Sequence, residues 1–244
     1  MNGIEKNNPK PLYAQLEELI RTNIDNGTWK PQTAIPSESE LCKAFDLSRM
    51  TIRTACQNLV QEGALYRVPG KGTFVSEPKI TTQSLAYMGF REQLERMGYE
   101  TTTKLLDRKI IKAPGSVSRK LRIPEEAVVM LIERLRYLKG RPISLHYSYI
   151  PVRLCEEIEK HDLINEQLCV ILKKEYDLWP SRIQETLESA RASKRESQLF
   201  KVEENYPLLI LEDLLFAQDD MPYEYSKVVF RGDKIKLKYE FQNL

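Results

Sequence analysis

Apolar residues recur at spacings of three and four through the first 60 residues and at spacings of two over much of the remaining chain, so it reads as helices first and strands later. Leu12, Leu16, Leu19, Ile20 and Ile24 share one face of a helix from Pro11 to Gly27. A turn-rich stretch leads to Ser37, and Glu40 three residues later forms a capping box that opens a second helix ending at Phe45 or Asp46. Ser48 is placed to cap a third helix, with Ile52, Ala55, Cys56, Leu59 and Val60 on its buried side and Gly63 at its end. The intervening turn, Asp46-Leu47, is as short as a helix-turn-helix requires. Beyond Gly63 the period changes to two, and Pro69-Gly70-Lys71-Gly72 separates Leu65-Tyr66-Arg67-Val68 from Thr73-Phe74-Val75. This predicts a β-hairpin with glycines supplying positive φ at its tip. Three helices and a hairpin are the winged-helix plan, assigned to residues 1–76. Residues 77–83 lack periodicity and are expected to be a linker.

The remainder, 84–244, predicts an α+β domain, a mostly antiparallel sheet with flanking helices. Helices are expected at 85–98, 114–121, 152–160, 165–176 and 193–202. Strands are expected at about 101–112, 127–138, 143–150, 181–191, 207–217, 222–230 and 235–241. Tight polar turns at Lys139-Gly140-Arg141-Pro142, Asp219-Asp220-Met221-Pro222 and Arg231-Gly232-Asp233 make neighbouring strands antiparallel. His146-Tyr147-Ser148 after Pro142 faintly echoes Glu224-Tyr225-Ser226 after Pro222, and is read as chance rather than repetition.

Composition narrows the function. At 244 residues the chain suits two domains better than one. No apolar run approaches the ~20 residues that span a bilayer, and Met1-Asn2-Gly3-Ile4-Glu5-Lys6 has no signal-peptide core, so a cytoplasmic location without membrane association is expected. Cys42, Cys56, Cys155 and Cys169 show no C-x-x-C spacing, and only His146 and His161 are present. Disulfides, metal dependence and a cofactor are therefore not expected, and no nucleophile–base pair points to catalysis. The formal charge of +2 argues against a chain that binds polyanions over its whole surface. Residues 1–76 hold nine basic and eight acidic side chains, yet between Leu47 and Ser76 Arg49, Arg53, Arg67 and Lys71 face one acid, Glu62.

That local excess falls where DNA would be read. Ser48-Arg49-Met50-Thr51-Ile52-Arg53 opens the third helix with hydroxyls and arginines, which suit base edges and phosphates in a major groove. Lys71 between two glycines brings a cation and a close-approaching backbone to the sugar-phosphate chain. Each arginine alone could be a solvated helix residue, and Ser48 and Thr51 could serve only as caps. The motifs Pro11-Leu12-Tyr13, Gln15-Leu16, Leu41 to Phe45, Leu47-Ser48-Arg49, Thr51-Ile52-Arg53, Glu62-Gly63 and Gly70-Lys71-Gly72-Thr73-Phe74-Val75 together resemble the N-terminal domain of GntR-family transcription regulators over residues 9–76. The resemblance implies a homodimer on a pseudo-palindromic double-stranded DNA operator, in keeping with a repressor. The candidate contacts are Ser37, Ser39, Ser48, Arg49, Thr51, Arg53, Pro69, Gly70, Lys71 and Gly72.

In the second domain, charges inside strands stand out. Arg134 and Arg136 of Glu133-Arg134-Leu135-Arg136-Tyr137 share one strand face, roughly 6–7 Å apart. Their repulsion calls for a bound carboxylate or phosphate, or for the protein's own acids. Residues 84–241 resemble the UTRA effector-binding domain of the HutC subfamily, whose fold is chorismate-lyase-like. The resemblance implies a pocket for a sugar phosphate or another anionic metabolite, with candidates Gly89, Phe90, Arg134, Arg136, His146, Gln167, Glu224 and Phe230. Gly89 and Gln167 stand where phosphosugar-binding relatives tend to carry hydroxyls, His146 where an acid is common and Phe230 where tyrosine is common. His146 could equally be a satisfied strand histidine and Phe230 a core residue. The competing functions are a DNA-binding protein with a degenerate, non-sensing second domain and a lyase-like enzyme.

Overall fold

Helices α1 (Leu12–Asp25), α2 (Glu38–Phe45) and α3 (Arg49–Gln61) and a hairpin of β1 (Leu65–Val68) and β2 (Gly72–Val75) build the first part of the chain. The structure is a computed structural model that describes residues 4–82 and 89–238. It divides into two units, one ending at Lys79 and one beginning at Ile80. The capping box forms: Ser37 Oγ accepts from the Glu40 backbone N–H, and the Glu40 carboxylate accepts from the Ser37 N–H at 2.7 Å. Asp46 takes φ +51° to close α2, and Ser48 Oγ then accepts from the Thr51 N–H at 3.1 Å to open α3. Two helices are thereby fixed three residues apart around a core that includes Leu16, Ile20, Leu41, Ile52, Leu59 and Leu65. In the wing, β1 and β2 pair antiparallel from Leu65↔Val75 to Val68↔Gly72. Gly70 and Gly72 take φ +72° and +119°, which a side chain would resist. The segment before α2 adds a third edge, Ile35 N–H donating to Thr73 O and Val75 N–H to Thr33 O.

The second unit contains β3 (Ile80–Thr82), α4 (Phe90–Arg96), β4 (Thr101–Lys112), α5 (Gly115–Leu121), β5 (Val128–Leu138), β6 (Arg141–Pro151), α6 (Leu168–Tyr176), β7 (Arg182–Arg191), α7 (Lys194–Phe200), β8 (Pro207–Phe216), β9 (Pro222–Arg231) and β10 (Ile235–Leu237). Six strands form one antiparallel sheet in the order β4-β5-β6-β9-β8-β7. The path β4-α5-β5-β6 recurs as β7-α7-β8-β9, and the two copies meet where β6 pairs β9. The hairpin echo read as chance therefore sits on a repeated topology, with Ser148↔Ser226 at the junction. Lys139 and Gly140 both have positive φ, as a two-residue turn between twisted strands demands.

Each face of the sheet is covered. On one, α4 with β3 and β10 packs Phe90, Leu94, Ile80 and Ile235 on Val228 and Phe230, while α6 packs Leu168, Ile171 and Leu172 on Met130, Ile132 and Leu215. On the other, α7 covers Leu135, Leu145 and Val229 and α5 covers Val129 and Tyr225.

Five expectations change. Residues 152–160 form two 3-10 turns, Val152–Leu154 and Ile158–Lys160, instead of a helix. Cys155 and Ile158, three apart, are both buried, and Glu157 at φ +60° breaks any longer helix. The helix expected from 165 starts at Leu168, because the Asp162 carboxylate accepts from the N–H groups of Ile164 and Asn165 and holds that stretch in a turn. Of the helix expected at 85–98, Phe90–Arg96 is helical, Gly89 is not, and 85–88 lie outside the described residues. Of the expected linker 77–83, Ile80–Thr82 instead pair in parallel with β10, a partner more than 150 residues away that local sequence does not announce; residue 83 lies outside the described residues. The last expected strand, 235–241, is described over Ile235–Leu237, with 239–241 outside the described residues.

Candidate DNA-reading surface and effector cavity

On the first unit, Ser37, Ser39, Ser48, Arg49, Arg53, Pro69, Gly70, Lys71 and Gly72 are exposed and Thr51 is half-buried. Ser37 and Ser48 do hold caps. The Ser37 hydroxyl donates to the Glu40 carboxylate at 2.7 Å, and Ser48 Oγ lies 2.9 Å from Thr51 Oγ1. Arg49, Arg53 and Lys71 form no ion pair with any described residue, so their charge is free for a polyanion. Arg67 behaves differently: it bridges β1 to Glu38 in the first turn of α2 at 2.9 Å and braces the wing. Met50, absent from the candidate set, is 70% exposed between Arg49 and Thr51. Its signal was available, since it lies off the Ile52–Ala55–Leu59 face. An apolar side chain there has the chemistry to contact a thymine methyl.

In the second unit the period-two alternation sends Arg134 and Arg136 to one face of β5 and Glu133 to the other, where Glu133 pairs with Arg195 of α7. Across the sheet Arg134 faces His146, Arg136 faces Ser144, and Ser148 faces Ser226, which in turn faces Asp213. Arg134, Arg136, His146, Ser148, Ser226 and Asp213 border a cavity of about 90 Å³ between the two apolar clusters under α4 and α6. A water needs roughly 10–15 Å³ by this kind of measure, so a small polar molecule fits. Of the eight sequence candidates, Gly89, Phe90, Arg134, Arg136, His146, Gln167 and Glu224 line it. Phe230 does not. It is fully buried, edge-on to Phe90 at 5.1 Å and to His146 at 6.4 Å, and so supports the wall from behind. Sequence reasoning missed Ser148, Leu168, Cys169, Asp213, Leu215, Ser226 and Val228. Asp213 was findable by the argument that picked out Arg134, a charge inside an apolar strand.

The electrostatics are those of buried charge. Burial pushes the Arg134 guanidinium below its usual range, partly offset by the Glu224 carboxylate; burial and the neighbouring Arg134 bring Arg136 down to about 9. A guanidinium is not deprotonated at neutral pH inside a protein, so both remain cationic. Arg136 Nη1 donates to Thr103 Oγ1 at 3.1 Å, but the Nε of each arginine is buried without a hydrogen-bond partner. Burial, then the two arginines, holds His146 well below its ordinary value, so it stays neutral, 2.8 Å from Ser144 Oγ. Burial raises Glu224 against a hydrogen bond from Ser148 and the charge of Arg134. At the cavity edge a Cβ on Gly89 would come within 2.7 Å of Gln167 Oε1. The two departures from hydroxyls are thus coupled, the Gln167 carboxamide filling the space a side chain at 89 would take. Among the described residues no group of three or more His, Cys, Asp or Glu could hold a metal ion, and no helix is long and apolar enough to cross a membrane.

Comparison with known proteins agrees with this division. Residues 12–75 match the gntR family of bacterial regulatory proteins, and 96–236 match the UTRA domain. The HTH-type transcriptional repressor NagR of Bacillus subtilis (strain 168) is 31% identical over 233 residues, covering 95% of each chain. The repressor MngR of the mannosyl-D-glycerate transport/metabolism system of Escherichia coli (strain K12) is 28% identical, covering 93% of this chain and 94% of its own. The crystal structure of PhnF from Mycobacterium smegmatis superposes with a TM-score of 0.66 at 21% identity over 95% of this chain and 99% of that one, a likeness of fold. With a free-cation recognition helix and wing on one unit and a polar cavity in the other, the chain belongs to the GntR family of bacterial regulatory proteins, of the kind that carries a UTRA domain, and is a DNA-binding transcription regulator rather than an enzyme.

Proposed function

We propose that the protein is a cytoplasmic, homodimeric repressor that holds a pseudo-palindromic operator through Arg49, Met50, Thr51, Arg53 and the Pro69–Gly72 wing, with Ser37, Ser39 and Ser48 at the backbone. A small anionic metabolite binds the cavity of the second unit and changes operator affinity. The observation that carries the sensing part is the pair of buried guanidiniums on β5, each with an unpartnered Nε, at a cavity that also receives Gly89, Phe90, His146, Gln167 and Glu224. Buried polar donors without partners are rare in native proteins, and two cationic ones on one strand are what an anion would satisfy. The effector acts on DNA binding only as far as it prefers one arrangement of the two reading heads over another.

The test begins with duplexes selected from random DNA by the full-length protein. Fluorescence anisotropy of the selected duplex is then followed while sugar phosphates, carboxylates, amino acids and nucleotides are added. A compound that raises the protein's melting temperature and alters DNA binding is expected. In Arg136→Met and Arg134→Met/Glu224→Gln proteins the response to it should vanish while operator affinity persists, because the first removes a buried charge that Arg134 repels and the second replaces both members of a buried charge pair, changes that leave no new buried charge unpaired. If no compound acts, or the variants respond like the parent, the cavity is not a sensor and the domain is a non-sensing one.

A further inference from the structure

The charges around the cavity are sorted by origin. Its basic side chains, Arg134, Arg136 and His146, all come from β5 and β6 of the first topological copy; its acids, Asp213 and Glu224, come from β8 and β9 of the second. Asp213 is 3% exposed. Ser226 Oγ donates to its Oδ2 at 3.2 Å, and its Oδ1 is buried with no hydrogen-bond partner. The titratable groups that bear on it are Glu185, its cross-strand neighbour on β7, whose carboxyl shares a side-chain hydrogen bond with it, and Glu224 on β9, both acidic. Among the described residues no Lys, Arg or His forms an ion pair with it. From β5 to β8 the sheet steps through β6 and β9, so this acidic pole lies about 14 Å of backbone from the arginine pole, with both sets of side chains reaching into the cavity between.

We propose that the effector is bipolar, with an anionic group held by Arg134 and Arg136 and, at its other end, an amine or ammonium N–H that donates to Oδ1 of Asp213 beside Glu224. The inference rests on the cavity being the effector site, and it adds the second pole. A hydroxyl could satisfy the orphan acceptor but would leave two acids crowded together in a low-dielectric pocket; a cation satisfies the acceptor and balances the charge. Burial, Glu185 and Glu224 push the Asp213 carboxyl up to about 8, so an arriving ammonium displaces a proton that a neutral ligand leaves in place.

The experiment compares matched anions that differ by an amine: glucosamine 6-phosphate with glucose 6-phosphate, phosphoethanolamine with ethyl phosphate, and aspartate with succinate. Inorganic phosphate serves as the anion alone. Isothermal titration of the full-length protein at pH 7, in two buffers of different ionisation enthalpy, reads affinity and proton release together. In the best-binding pair the amine-bearing member is expected to bind on the order of 10-fold more tightly and to release a fraction of a proton. Asp213→Asn, nearly isosteric and with Asp213→Ser as a second variant, should erase both differences and leave the amine-free member within about twofold. Equal affinity of both members for the parent protein, or a preference that survives Asp213→Asn, overturns the acidic pole while the anion site stands. If none of the anions binds, inorganic phosphate included, the cavity reading itself fails and takes the second pole with it.

Discussion

At the scale of single residues, what matters is whether a charge already has a partner. Arg49 and Lys71 have none among the described residues, but they are placed for different work. Arg49 sits in the first turn of α3, where the proposed function has its guanidinium read base edges. Arg49→Ala should cost about 1–3 kcal/mol on the selected operator and much less on random DNA, as measured by competition binding. Lys71 sits at the wing tip, where the proposed function places it against phosphates, so Lys71→Ala should weaken both nearly alike and lower the slope of log affinity against log salt by about one. Asp213 is the opposite case, an acid with acids for neighbours. Its folded value of about 8 lies above its ordinary 3.8, so between those values the folded state keeps a proton the unfolded chain releases. Its contribution to stability is thus complete at acid pH and is lost as pH rises through about 8. Glu185, Glu224 and Ser226, the groups facing it, are common to parent and variant. Melting curves from pH 5 to 9 should show Asp213→Asn gaining on the parent as pH rises; a constant gap would mean that Asp213 is ionised throughout.

At the scale of elements, what was legible in the sequence was what local chemistry determines. Ser37 with Glu40, Ser48 with Thr51, and the glycines of the wing and of the β5–β6 turn each act within four residues of themselves, and the elements they bound were readable. β3 was not, because three residues become a strand only when β10 arrives from the far end of the unit. The 152–160 stretch carries helical spacing, yet Glu157 in a left-handed conformation breaks it, and no residue type there signals that. The cavity shows the same division. Arg134 and Arg136 stand out as charges in a strand and Glu224 was reached through the family resemblance, whereas Ser148, Ser226 and Val228 become lining residues only through the register of β6 against β9. The contact between Gly89 and Gln167, 78 positions apart, belongs with these non-local facts. Gly89→Ala should cost little stability, since the atom it meets is the far end of a flexible side chain, but it pushes the Gln167 carboxamide out of place. A loss of effector response that is restored by adding Gln167→Ala would establish the coupling, and the double-mutant cycle measures it.

At the scale of the whole molecule, one chain carries a DNA-reading unit and a ligand-binding unit, and the free energy that links them constrains both. If an effector loosens the operator complex tenfold, about 1.4 kcal/mol of coupling is involved, and operator DNA must loosen the effector complex by the same factor. The effector's dissociation constant should therefore rise about tenfold when the protein is saturated with selected operator, and stay unchanged with a duplex of scrambled sequence that does not bind. Substitutions divide along the same line. Arg136→Met should remove the effector's binding and with it the release, leaving the operator affinity of the ligand-free protein as it was. Arg49→Ala should lower operator affinity at every effector concentration and leave the effector's own affinity for the free protein intact. A variant of the second unit that changes operator affinity without any ligand would show that the charge-sorted cavity also sets the resting preference of the reading heads. In that case the mutual repulsion of the two buried arginines would itself be part of the switch.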